Sequence, residues 1–188
     1  IFFFSLGGLF HVYSYKSFTP LPIAGIFFII GFILLKLTPL GGIPERRIFS
    51  RVYCVGILMA GIAAVYANQF LEIASDVKYF IKMAINEAKG LSLFEISILS
   101  EGSMAILIWR TVYDFFEALG FERVQYTGVF VNITLVSLSG VVGIKIARLI
   151  FGNDDERFRR LTILVSSCGL FWLFSALHLR DSFILFVI

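Results

Sequence analysis

Residues 52–71 read V-Y-C-V-G-I-L-M-A-G-I-A-A-V-Y-A-N-Q-F-L, twenty positions without Asp, Glu, Lys or Arg. A helix rises about 1.5 Å per residue, so a run of this length reaches about 30 Å, the thickness of a bilayer's hydrocarbon core. A chain crossing that core must satisfy its own backbone hydrogen bonds, and a helix does so within one segment. Residues 18–35, 124–144 and 161–177 are apolar in the same way and equally free of charge. Together these runs predict membrane spans at about 18–36, 52–71, 124–147 and 161–178. Residues 1–15 make a further candidate span, shortened at its start, and 182–188 begin another. The truncated first and last runs, with Ile1 in place of Met, read as a fragment of a longer chain. The expected fold is therefore all-α: one polytopic transmembrane helix bundle over 1–188, with a large external loop at 72–123.

Composition agrees. The 188 residues are 59% hydrophobic and 15% charged, where a soluble domain has about 45–50% apolar and about 25% charged residues. A soluble protein of this size cannot hide so much apolar surface, whereas lipid solvates it. The 22 Phe residues are spread through the apolar runs, as expected of rings that face lipid and pack between helices. Cys54 and Cys168 lie inside apolar runs with no Cys or His at metal-ligand spacing. They read as small buried hydrophobes, and the sequence implies neither a metal nor a cofactor.

The net charge of +3 would in a soluble protein raise the question of nucleic acid. Here the cations lie between apolar runs, so membrane topology accounts for them and no nucleic-acid partner is expected. Residues 36–51 hold Lys36, Arg46, Arg47 and Arg51 against Glu45; residues 145–160 hold Lys145, Arg148, Arg157, Arg159 and Arg160 against Asp154, Asp155 and Glu156. Both stretches are predicted cytoplasmic. Segment 72–123 carries eight acidic and five basic residues and reads as external. These assignments alternate along the spans, as they must.

Boundary residues follow the same plan. Pro39, Gly41, Gly42 and Pro44 break the chain after the second run, and Gly152 ends the fourth, with Asn153 or Asp154 available to cap the next helix. Pro20 and Pro22 fall in a first helical turn, where a missing amide hydrogen costs little. Gly56, Ala60, Gly61, Ala63 and Ala64 offer a close helix-packing face, and Asn132 and Thr134 are expected to bond between helices.

Segment 72–123 is too apolar for a simple loop. Residues 75–89 read as an amphipathic helix, with Val77, Phe80, Ile81 and Ala84 opposed to Lys78, Lys82, Asn86 and Lys89. Residues 104–119 read as a second, with Trp109, Tyr113 and Phe116 at the spacing of a helix lying flat among lipid headgroups. Asp76 stands in the first turn of the earlier helix, where a carboxylate caps or favours the positive helix end. The turn His178-Leu179-Arg180-Asp181 interrupts two apolar runs at the same predicted depth. Its charges need water, each other or a ligand.

The order of these features resembles membrane glycosyltransferases of the GT-C type and the related oligosaccharide repeat-unit polymerases of bacterial envelopes. The resemblance runs from about Arg51 onward. It rests on S-D-V-K-Y-F-I-K-M-A (75–84) just after a span, W-R-T-V-Y-D-F-F-E-A-L-G (109–120), two spans joined by a basic loop, and L-R-D (179–181). In that group an acidic residue after a span commonly precedes a Tyr and an Ala, a pattern that Asp76, Tyr79 and Ala84 approximate. The resemblance implies transfer of a sugar from a polyprenyl-(pyro)phosphate carrier at the external face of a bacterial inner membrane. Asp76 would be the catalytic carboxylate; Arg180, His178, Asp181 and Tyr79 would bind substrate. Membrane lipids, the polyprenyl-linked saccharide and further membrane proteins are the implied partners. Two other classes fit the same composition. One is a transporter or flippase lined by Asp76, Arg180 and Asp181; the other is a non-catalytic subunit of an envelope assembly complex.

Overall fold

The computed structural model describes residues 2–38, 42–66, 82–87, 103–152 and 155–166. All their regular structure is helical: α1 (Phe2–Tyr15), α2 (Pro20–Leu37), α3 (Ile43–Val65), a π-helical turn (Met83–Glu87), α4 (Ser103–Ala118), α5 (Gln125–Phe151) and α6 (Asp155–Ser166). Three of them, α2, α3 and α5, are long and apolar enough to cross a membrane. Their exposed residues suggest a membrane protein. Ile29, Ile33 and Leu37 project from α2, and Leu149 on α5 is 86% exposed, a surface that water would penalise and lipid would not.

Two helices run well past their apolar runs. The chain of α3 is helical from Ile43, so residues 43–51, read from sequence as loop, are its first turns. Gly42 precedes it in extended conformation, Pro44 occupies its first turn, and Glu45 there favours the positive helix end. Likewise α5 continues through Lys145 and Arg148 to Phe151, and Gly152 ends it at φ 75°, the left-handed conformation that glycine adopts without strain. Arg and Lys are good helix formers; a hydropathy pattern marks where a helix is apolar, not where it stops.

The seam between α1 and α3 depends on absent side chains. A Cβ on Gly7 would lie 2.6 Å from the Leu58 amide nitrogen, and one on Gly61 2.6 Å from the Gly7 carbonyl oxygen. Backbones this close maximise dispersion contact where lipid offers no hydrophobic gain. Ser14 Oγ closes the seam by donating to Ala64 O at 2.9 Å. Gly61 of the small-residue face thus meets Gly7 of α1 backbone to backbone.

On the other flank of α3, Phe28, Phe32, Phe49 and Tyr53 form a ring cluster with centroids 5.2–5.9 Å apart. Tyr53 donates its hydroxyl to Ala24 O at 2.7 Å. Helix α5 packs against both α2 and α3, burying Phe130, Ile133, Val136, Val141 and Ile144. Bonds between helix ends define the two ends of this bundle. At one, Thr19 Oγ1 meets Tyr126 Oη at 2.8 Å; at the other, Arg148 donates to Glu45 at 3.0 Å.

Candidate functional site

Polar chemistry in the described chain concentrates where α4 turns into α5. The turn is written in A-L-G-F (118–121). Gly120 takes φ 86°, its amide donates to Glu117 O at 2.9 Å, and the Phe121 amide donates to Phe116 O at 3.0 Å. This is a Schellman motif, completed by the ring contact of Phe116 with Phe121 at 5.8 Å. It sends the chain back, so α4 lies antiparallel along the first turns of α5.

That packing corrects the expectation of a helix lying among headgroups. The periodicity of Trp109, Tyr113 and Phe116 does mark a helix, but Trp109 is 0% exposed and the other two are nearly as buried. Trp109 Nε1 donates to Asn132 Oδ1 at 3.0 Å, so Asn132 bonds between helices as expected. Thr134 donates to Phe130 O of its own helix and also lies within hydrogen-bonding reach of the Tyr53 hydroxyl on α3. Tyr113 donates to Gln125 O and accepts from the Gly128 amide, both at 3.3 Å, which serves a helix start that has no side-chain cap. Burial pushes the Tyr113 phenol far above its usual range, against the opposing pull of the Gly128 amide and Arg123. It is held as a neutral hydroxyl.

Arg123 joins the parts. Its side chain is 7% exposed. Nη2 pairs with Asp114 Oδ1, Nη1 donates to Ile85 O at 3.2 Å, and Nε faces Glu117 Oε2 at 3.5 Å without hydrogen-bond geometry. Its Cζ lies 5.9 Å from the centre of the Tyr113 ring. Asp114 accepts a second bond from Arg110 Nε at 3.2 Å. Two guanidiniums therefore face two carboxylates among the described residues. It clasps the π-helical turn, whose Met83 and Ala84 are buried, to the α4–α5 hairpin. Single π-helical turns recur at functional sites because they displace the local helix register.

Asp76, Tyr79, His178, Arg180 and Asp181 lie outside the described residues, as do Cys168 and most of the segment 75–89. Ala84, the last member of the quoted pattern, is described and fully buried. Tyr113 belongs to the aromatic stripe that the sequence marks, whereas Arg110, Asp114, Glu117 and Arg123 are not singled out there. The signals available were the i, i+4 spacing of Arg110 and Asp114 and a glycine placed to end α4. Among the described residues, no three His, Cys, Asp or Glu side chains converge on a metal-sized site. No family model, curated protein or solved structure matches this chain.

Proposed function

We propose that this chain belongs to a multi-pass protein of the bacterial plasma membrane that transfers sugars from a polyprenyl-(pyro)phosphate carrier at the external face. The single observation that supports the reading is the anchoring of Ile85 by Arg123. Residues 82–87, which follow Asp76 in sequence, are tied to the α4–α5 hairpin through Ile85 O, at the bundle end opposite the arginine-rich turns of α3. A carbohydrate acceptor arriving from outside the cell and a carrier phosphate in the headgroup layer would meet at such an end.

The chemistry asked of the proposed residues is simple. The Asp76 carboxylate takes the proton of an acceptor hydroxyl while that oxygen attacks the anomeric carbon, and the bond from that carbon to the phosphate oxygen breaks. The departing phosphate gains charge as it leaves, and Arg180 and His178 stabilise it through charge-assisted hydrogen bonds. Asp181 orients Arg180, and Tyr79 contacts the substrate. Asp76→Asn in the full-length protein is expected to abolish glycan transfer at normal expression. Undiminished transfer would remove Asp76 from the mechanism. Single cysteines at positions 76 and 154 are expected to react with an impermeant thiol reagent from opposite sides of the membrane. Labelling from the same side would overturn the topology on which the reading depends.

A further inference from the structure

The arginine-rich end of the bundle carries a feature that membrane topology does not require. Phe32 of α2 and Ile43, Arg46, Arg47, Ser50 and Arg51 of α3 line an open hollow of about 570 Å³. The arginines fall at i, i+1 and i+5, so they share one side of α3, where like charges repel. Glu45, the acid nearest to them, is 3% exposed and committed to Arg148 at 3.0 Å. Among the described residues no carboxylate pairs with Arg46, Arg47 or Arg51, and Arg46 Nε is buried without a hydrogen-bond partner. Ser50 spends its hydroxyl proton on Arg46 O at 2.8 Å, so the guanidiniums are the hollow's donors. The apolar wall is Phe32, set against Phe28 and Phe49. On the same helix Ile29, Ile33 and Leu37 are exposed.

We propose that this hollow binds the headgroup of an anionic phospholipid, with its phosphate on Arg46, Arg47 and Arg51 and its acyl chains along α2. Three unneutralised guanidiniums, each with five donors, fit phosphate oxygens. Basic pockets between membrane helices bind acidic headgroups. A zwitterionic headgroup brings its own cation against the arginines, so the site discriminates by charge. The inference is independent of the sugar-transfer reading, which concerns the other end.

The test exposes the full chain, in detergent, to phosphatidylglycerol or phosphatidylcholine and counts retained lipid by native mass spectrometry. Phosphatidylglycerol is expected to be retained about tenfold more than phosphatidylcholine, a difference that Arg46→Gln/Arg47→Gln/Arg51→Gln abolishes. Ile43→Trp narrows the hollow with every charge in place and is expected to lose the same lipid, which guards against a triple variant that fails to fold. Lys36→Gln removes a cation of the same sequence stretch that does not line the hollow, and is expected to leave retention unchanged. Equal retention of both lipids, wild-type retention by the triple variant or by Ile43→Trp, or an equal loss in Lys36→Gln would each overturn the proposal. Displacement of the lipid by millimolar inorganic phosphate would also overturn it and make the site one for a free anion.

Discussion

The two ends of α5 handle charge in opposite ways. Where α5 begins, Arg110 and Arg123 face Asp114 and Glu117, and the guanidiniums are spent on protein carboxylates and on Ile85 O. Where it ends, Arg148 holds Glu45, and Arg46, Arg47 and Arg51 of α3 line an open hollow and pair with no carboxylate among the described residues. A balanced cluster is a fastener, because every charge it contains is answered within the fold. A surplus of one sign destabilises the fold a little and is directed at something outside it. Within the arginine-rich end the same division appears again: the Glu45–Arg148 pair joins α3 to α5, and the three remaining arginines join nothing among the described residues.

The comparison is broken most forcefully at Glu45. Its carboxylate turns back over Gly42, so closely that a Cβ there would lie 2.1 Å from Oε2. Glu45→Gln removes the charge of the carboxylate that the Arg148 guanidinium, 28% exposed, holds at 3.0 Å. Breaking a fully buried pair costs about 3–5 kcal/mol, and the partial access of Arg148 to solvent reduces this to about 2 kcal/mol. Steric-trapping measurements of unfolding in bicelles would read that loss. The double variant Glu45→Gln/Arg148→Gln should recover part of it. A single variant as stable as the parent would mean that the pair does not fasten α3 to α5.

Arg123→Gln tests the balanced end. The carboxylates it abandons are each about two-fifths exposed, so water can take them up, and the lost stability is about 1–2 kcal/mol. The effect should be local as well. Amide hydrogen exchange in residues 82–87 should rise more than exchange in α3 or α5, since the bond to Ile85 O is what clasps that turn. Uniform protection in the variant would show that buried Met83 and Ala84 suffice to hold it. Gly120→Ala acts on the same hairpin through its turn. Nothing crowds a Cβ there, so the cost is that of φ 86° alone, about 1 kcal/mol. The same unfolding assay should find it smaller than the Arg123 effect.

These sites also show what the sequence could and could not disclose. The existence of α2, α3 and α5 is legible because hydrocarbon length imposes a minimum apolar run, and the Trp109, Tyr113, Phe116 stripe marks α4 by its period. What covers that stripe is not legible. An aromatic face looks the same in sequence whether headgroups or α5 take it up, and only the buried Trp109–Asn132 bond distinguishes them. Charged first turns resemble loops in hydropathy, so residues 43–51 read as loop although they begin α3. Glu45 and Arg148 stand 103 residues apart, and no local pattern links them. The Arg123 cluster crosses a turn whose glycine was visible but whose consequence, an antiparallel hairpin, needed three-dimensional closure. The residues proposed for catalysis fall outside the described chain, so the balanced network is what the structure adds beside them.

The smallest expected effect sharpens the contrast most. Arg47 and Arg51 lie one turn apart on α3 with the same sign, and like charges at that spacing cost a few tenths of a kcal/mol. If the surplus at this end were part of the fastening, Arg47→Gln would weaken the fold as Arg123→Gln does. Because the hollow's arginines answer no described carboxylate, removing one should instead leave lipid-free stability unchanged or raise it by about 0.3 kcal/mol. Adding phosphatidylglycerol should reverse the order, since a ligand that binds only the folded state stabilises it with the logarithm of its concentration relative to Kd, and the parent with all three arginines would gain more. A variant that is weaker than the parent without lipid, and equally weaker with it, would place Arg47 among the fasteners and erase the difference between the two ends.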